Sequence, residues 1–277
     1  MPFSLGEVIG ADMEWDLLML LYGLLVGLCA GAVAGCMAGL AGVGGGLVYV
    51  PVFYLLMPGS DASMALSVFS SMLAISITTA FSARSHWRLG HVDIYLSLYL
   101  LPALLLGASF GLWSALLLPE LWVLLSLAAL NAWVAYDYGR ALPVKSQHKG
   151  LFALLGLPIG YVSGVLGIAG GTMLVPLFRR SLSLRNAVGT SAVCSVMMVG
   201  MAVLLNLIFE PGWGLLLQQQ WNFILATCVG VLITMPTAAR KTASWHDTLD
   251  ERYLRFVLKS MFSLIAILFC FMAWENG

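Results

Sequence analysis

The apolar positions of this chain do not alternate; they run on in long blocks. These blocks occupy roughly 17–40, 62–83, 92–118, 121–138, 150–166, 186–209, 219–239 and 253–274. Most approach the roughly 20 residues that a helix needs to cross about 30 Å of hydrocarbon. A helix that is apolar all round has no side for water, so the blocks predict eight membrane spans. Two further apolar segments, 46–57 and 171–180, are only ten to twelve residues long. They fit half-helices or re-entrant elements better than full crossings.

Both short segments follow the same interruption. Residues 31–53 and 156–178 superpose at a constant offset of 125, matching at Gly31/Gly156, Gly35/Gly160, Gly39/Gly164, Gly42/Gly167, Gly45/Gly170, Gly46/Gly171, Val50/Val175, Pro51/Pro176 and Phe53/Phe178. Gly/Pro-broken hydrophobic segments at corresponding places in two halves point to a transporter's binding site. Gly23, Gly27, Gly31, Gly35 and Gly39 recur every four residues, and such a stripe lets another backbone approach closely. The runs 40–46 and 165–172 differ, because consecutive glycines disfavour helix and free backbone groups at membrane depth. If helices restart after the breaks, their positive N-terminal ends point back into them, as an anion site requires.

Composition fixes the class: 61% of the residues are hydrophobic and 9% charged, against about 45–50% and 25% in soluble domains. The net charge is zero, so nothing argues for nucleic acid as a partner. The partners expected are the lipid bilayer and a small anionic substrate, and a homo-oligomer is compatible with the sequence. Cys29, Cys36, Cys194, Cys228 and Cys270 sit in apolar runs without metal-ligand spacing, and read as small hydrophobes. No cofactor is expected. Before the first apolar run stand Glu7, Asp12, Glu14 and Asp16 and no Lys or Arg, the reverse of a signal peptide's basic start; that run is expected to stay as a span.

Lys and Arg fall in four groups, at 84–88, 140–149, 179–185 and 240–259. Placed in the cytoplasm, they put both termini outside. The first glycine break then leaves from the outside and the second from the inside. The reading is an all-α polytopic membrane protein of two inverted-topology repeats, each a Gly-broken short or re-entrant hairpin plus three transmembrane helices. The first repeat covers 1–138, a cytoplasmic linker 139–149 and the second repeat 150–277, within one integral membrane domain. Trp15, Trp113, Trp122, Trp213, Trp221 and Trp274 fall near outer boundaries, as interfacial belts do.

The candidate substrate-binding residues are Gly44, Gly45 and Gly46 in the first break and Gly170, Gly171 and Thr172 in the second. Ser70, Ser71, Thr190 and Ser191 follow as neutral donors to an oxyanion, although helix hydroxyls also bond their own carbonyls. Further hydroxyls, Ser67, Ser76, Thr78, Thr79 and Ser195, cluster with them. No charged residue lies in the middle of a span, so the site is expected to be neutral. Asn131 and Asn206 read as interhelical hydrogen-bonding groups. The segment 84–93 gathers Arg84, His86, Arg88, His91 and Asp93, a candidate for anion attraction at the inner mouth or for a proton relay.

Other chemistries lack their parts. The glycine run has no strand before it and no GK[ST] after it, which excludes a nucleotide loop. An intramembrane enzyme would need a nucleophile with a base, or a metal pair, within the spans, and no HExxH and no His/carboxylate pair is present there.

The glycine-rich element G-x-x-G-x-G-G-G-x-x-x-x-P from Gly39 to Pro51, its degenerate second copy and the loop from His86 to Asp93 together resemble the sulfite exporter (TauE/SafE) family of membrane anion transporters. The resemblance covers nearly the whole chain. It implies a bacterial plasma-membrane permease for sulfite, sulfonates such as sulfoacetate, or related small oxyanions. Ala169 stands where the first copy has Gly44, a departure that leaves one break without glycine at that position. The expectation is therefore a secondary transporter that exports a sulfur oxyanion or organosulfonate by alternating access. The alternative is a proton-coupled importer of the same anions.

Overall fold

The structure, a computed structural model, describes residues 5–41, 45–58, 64–138, 149–179, 181–243 and 251–275. Gly44 and nearly all of the expected linker lie outside them. The elements are α1 Leu5–Ala41, α2 Gly46–Leu56, α3 Met64–Arg88, α4 Ile94–Ser114, α5 Glu120–Tyr138, α6 Lys149–Leu166, α7 Gly171–Phe178, α8 Leu184–Phe209, α9 Pro211–Ala243 and α10 Glu251–Glu275. Among the described residues there is no strand.

Among the described residues, five stretches are long and apolar enough to cross a membrane: Trp15–Ala38, Met64–Arg88, Ile94–Ser114, Arg185–Phe209 and Gln220–Thr242. The 18 residues of α6 rise about 27 Å at 1.5 Å per residue, close to the hydrocarbon thickness. With 11 and 8 residues, α2 and α7 reach only about 16 and 12 Å, so neither crosses.

Glycine decides how the long helices pair. A methyl on Gly27 would overlap the carbonyl of Thr227, and Gly23, Gly31 and Gly35 meet Phe223, Val231 and Met235 in the same order. Thus α1 and α9 run parallel at backbone contact. Hydroxyls lace the seam: Thr227 donates to the Gly23 carbonyl at 3.1 Å, Thr234 to Leu28 at 2.9 Å and Thr242 to Cys36 at 3.4 Å. Likewise Gly160 and Gly164 meet Leu104 and Ala108, so α6 and α4 also run parallel. By contrast α3 and α8 are antiparallel, since Gly189 abuts His86 and His91 while Ala83 packs with Ala192 and Val193. The main pairings are unchanged when α1–α5 are exchanged with α6–α10: α1 with α9 answers α6 with α4, α3 with α9 answers α8 with α4, α2 with α3 answers α7 with α8, and α3–α8 and α5–α10 answer themselves; the packing of α1 on α2 is not matched by α6 on α7.

Three details depart from the sequence reading. The segment 84–93 is not all loop, because α3 runs on to Arg88. It ends in a left-handed cap in which Gly90 (φ 71°) donates to Trp87 and His91 donates to the His86 carbonyl, the 6→1, 5→2 pattern that glycine closes. Residues 211–218 are the first turns of α9 rather than an outer loop; Pro211 suits the first helical position, and Glu210 Oε1 accepts from the Gly212 N–H at 3.3 Å. Trp213 is fully buried, stacked on Phe69 at 4.6 Å with its indole N–H on Asn206, so it is core and not belt. Of the two asparagines, Asn206 bridges helices by donating to Ser109 at 3.2 Å, whereas Asn131 donates to Leu127 of its own helix.

Candidate functional site

The two glycine breaks meet. A methyl on Gly46 would lie 2.9 Å from the Ala169 nitrogen and from Ile168 Cα. Their backbones differ, however. In the first, Gly45 takes φ 71°; in the second the left-handed residue is Gly167 (φ 61°), while Gly170 is right-handed at φ −53°. Gly167 lies against Val68, and its carbonyl accepts from Ser71 Oγ at 2.7 Å. The second break is thereby fastened to α3.

Beside that break lies a cavity of about 50 Å³, room for a few waters. Gly171, the first residue of α7, and Ala169 form one wall; α3 contributes Thr78, Thr79, Ser82 and His86, and α8 Val188, Ser191, Ala192 and Ser195, with Ala38 and Met235 completing it. The α3 residues recur at helical spacing, as do those of α8, so two antiparallel helices present facing polar stripes.

Most of these hydroxyls already donate within their helices. Thr78 and Thr79 donate to the Ile75 carbonyl at 3.1 and 2.7 Å, and Ser191 to Val188 at 3.2 Å. Each still offers lone pairs, and each proton can swing inward. Ser195 differs: it is buried and its Oγ has no hydrogen-bond partner. A methyl on Gly170 would stand 3.4 Å from it, so its unused donor sits at the N-terminal end of α7, where the helix dipole is positive. His86 also borders the cavity; its ring centre is 5.8 Å from that of His91, and both Nδ1 atoms are buried without partners.

The other candidates take different places. Thr172 donates to the Ala169 carbonyl at 2.9 Å, closing its own turn. Thr190 accepts the Asp93 N–H at 3.0 Å, and the Asp93 carboxylate caps α4 by accepting from Leu96 at 3.0 Å. Ser70 is fully buried and unpartnered but is not among the residues lining this cavity. Arg84 and Arg88 are exposed on the last turns of α3. Sequence reasoning did not single out Ser82, although the 78/79–82–86 stripe was there to be read.

A larger groove of about 410 Å³ lies between α1, α2 and α10, but Met37, Val52, Leu55, Leu264 and their neighbours make it wholly aliphatic. An anion has no partner there. Among the described residues no three His, Cys, Asp or Glu side chains gather as a metal site would need.

The chain is similar to known bacterial membrane proteins. A probable membrane transporter protein of Haemophilus influenzae is 30% identical over 193 residues, covering 66% of this chain and 72% of the relative. The probable membrane transporter protein YjnA of Bacillus subtilis is 25% identical over 244 residues, 80% of this chain and 90% of its own. No solved structure matches the chain. The family model for the sulfite exporter TauE/SafE matches residues 26–269, nearly the whole length. The chain belongs to the sulfite exporter TauE/SafE family and is a multi-pass membrane transporter.

Proposed function

We propose that this transporter exports a small sulfur oxyanion, sulfite in the first place, by alternating access around the cavity between α3, α7 and α8. The observation that carries the reading is the unpartnered Ser195 hydroxyl at the N-terminal end of α7, in a cavity lined by no Asp, Glu, Lys or Arg. A dipole and neutral hydroxyls hold an anion without fixing it, whereas a buried cation would bind it tightly and carry its own desolvation cost. The cavity's small volume favours an inorganic oxyanion over an organosulfonate of the same class.

The two halves are inverted repeats in this reading, supported by counterpart helices α3 and α8 packing antiparallel and by the placement of the basic groups. The setting is the bacterial plasma membrane with both termini outside. Export then needs no coupling ion, because an interior-negative potential of 100 mV drives each negative charge outward by about 2.3 kcal/mol. Arg84 and Arg88 raise the anion concentration at the inner mouth. Arg88→Ala is expected to raise the half-saturation concentration at low salt and to lose that effect at high salt; equal behaviour at all ionic strengths removes the attraction role.

One observation favours the proton-coupled importer: the unpartnered Nδ1 atoms of His86, which borders the cavity, and of His91 beside it, either of which can carry a proton. Zero-trans efflux from loaded proteoliposomes, with internal pH fixed and external pH varied, separates the readings. Sulfite efflux indifferent to external pH supports the exporter. Efflux that follows the proton gradient supports coupling through His86 and His91, and no flux of sulfite or of a small sulfonate removes the substrate assignment.

A further inference from the structure

We infer that the transporter carries a second half-site, built around Ser70, that takes the same oxyanion from the face opposite His86. The inference rests on the transport reading above. The offset of 125 that relates the glycine breaks makes Gly46, Ser70 and Ser163 the counterparts of Gly171, Ser195 and Ala38, all three of which line the cavity. The three counterparts are buried.

Ser70 and Ser163 share with Ser195 a buried Oγ that has no hydrogen-bond partner. That is not a necessity of helix geometry, since Ser76 and Thr79 satisfy themselves on the carbonyls of Met72 and Ile75. A buried hydroxyl left unbonded carries its full desolvation cost, and a ligand relieves it. Two such groups at the counterpart positions of one binding wall therefore mark a second wall.

The parts are contiguous. Gly46 packs on Ile168 and Ala169, and the Ile168 N–H is bonded to the Ser163 carbonyl at 3.1 Å. Ser71, the neighbour of Ser70, holds the Gly167 carbonyl. The first turn of α2 begins at Gly46 as that of α7 begins at Gly171, so each wall has its own positive helix end. Beside Ser70, Phe69 stacks on the buried Trp213, whereas the cavity lies on the Ser195 side.

Sulfite flux in membrane vesicles of known orientation tests the assignment. Ser195→Ala is expected to raise the half-saturation concentration on the His86 face relative to the opposite face about tenfold, and Ser70→Ala to move that ratio about tenfold the other way. In a background lacking the native cysteines, Ser70→Cys is expected to react with a membrane-impermeant thiol reagent from the face opposite His86, and Ser195→Cys from the His86 face. Should Ser70→Ala not fold, Ser163→Ala and the Ser70→Cys reaction decide. Both alanine variants moving the ratio the same way, or Ser70→Cys reacting from the His86 face or from neither, overturns the inference. Absence of wild-type sulfite flux fails the transport reading instead, and the thiol reactions still decide whether two opposed half-sites exist.

Discussion

Two serines that look alike in the sequence have opposite standing. Ser71 donates to the Gly167 carbonyl, whereas Ser195 donates to nothing. Ser71→Ala strands a buried carbonyl and is expected to lower stability by about 1–3 kcal/mol, read as a lower melting temperature in detergent. Ser195→Ala removes a donor that the fold does not use, so the melting temperature holds. The half-saturation concentration for sulfite rises roughly 10- to 100-fold, as for a lost hydrogen bond to a charged group. The matched glycines Gly45 and Gly170 diverge in the same way. Gly45→Ala forces an L-residue to φ 71° and presses its methyl to 2.9 Å from Ala34 Cβ, a cost of about 1–2 kcal/mol from the backbone alone. Gly170→Ala keeps an ordinary φ of −53°, and the atoms nearest its methyl are the flexible ends of Leu174 and Met198 and the Ser195 hydroxyl. It is expected to melt near wild type and to lose sulfite affinity, and an unchanged affinity would separate Gly170 from the binding wall.

Among the elements, the glycine stripe of α1 was legible as a packing surface because a four-residue repeat of the smallest side chain has few other uses. Its partner was not, since nothing in one sequence says that Gly27 meets Thr227. Gly27→Ala is expected to cost about 1–3 kcal/mol through overpacking, while Gly200→Ala, with nothing within 4 Å of the new methyl, leaves the melting temperature unchanged. The two short helices were legible from length and from their glycine and proline punctuation. The polar wall was only half legible: hydroxyl clusters stood out, but which hydroxyls face the cavity follows from the antiparallel register of α3 and α8, a long-range fact. Trp213 was misread for the same reason, because position near a span end resembles an interface until α9 is seen to begin at Pro211. Trp213→Ala, which deletes a fully buried stacked ring, is expected to destabilise by about 3–5 kcal/mol, and a melting temperature within a degree of wild type would return it to the membrane surface.

For the molecule as a whole, the exchange of α1–α5 with α6–α10 that leaves the main pairings intact gives two half-helices, with the start of α2 at Gly46 touching the break before α7 at Ala169. A centre built from helix ends and hydroxyls has no fixed countercharge, so the translocated anion carries its whole charge across the potential. The current carried by sulfite is therefore the most direct measure of the mechanism. In proteoliposomes with sulfite on both sides and a proton gradient imposed, the account predicts that net flux reverses at the equilibrium potential of sulfite, wherever the proton gradient is set. A reversal potential that shifts with the proton gradient would contradict it, and would move the chemistry from the α7 end to the His86–His91 pair.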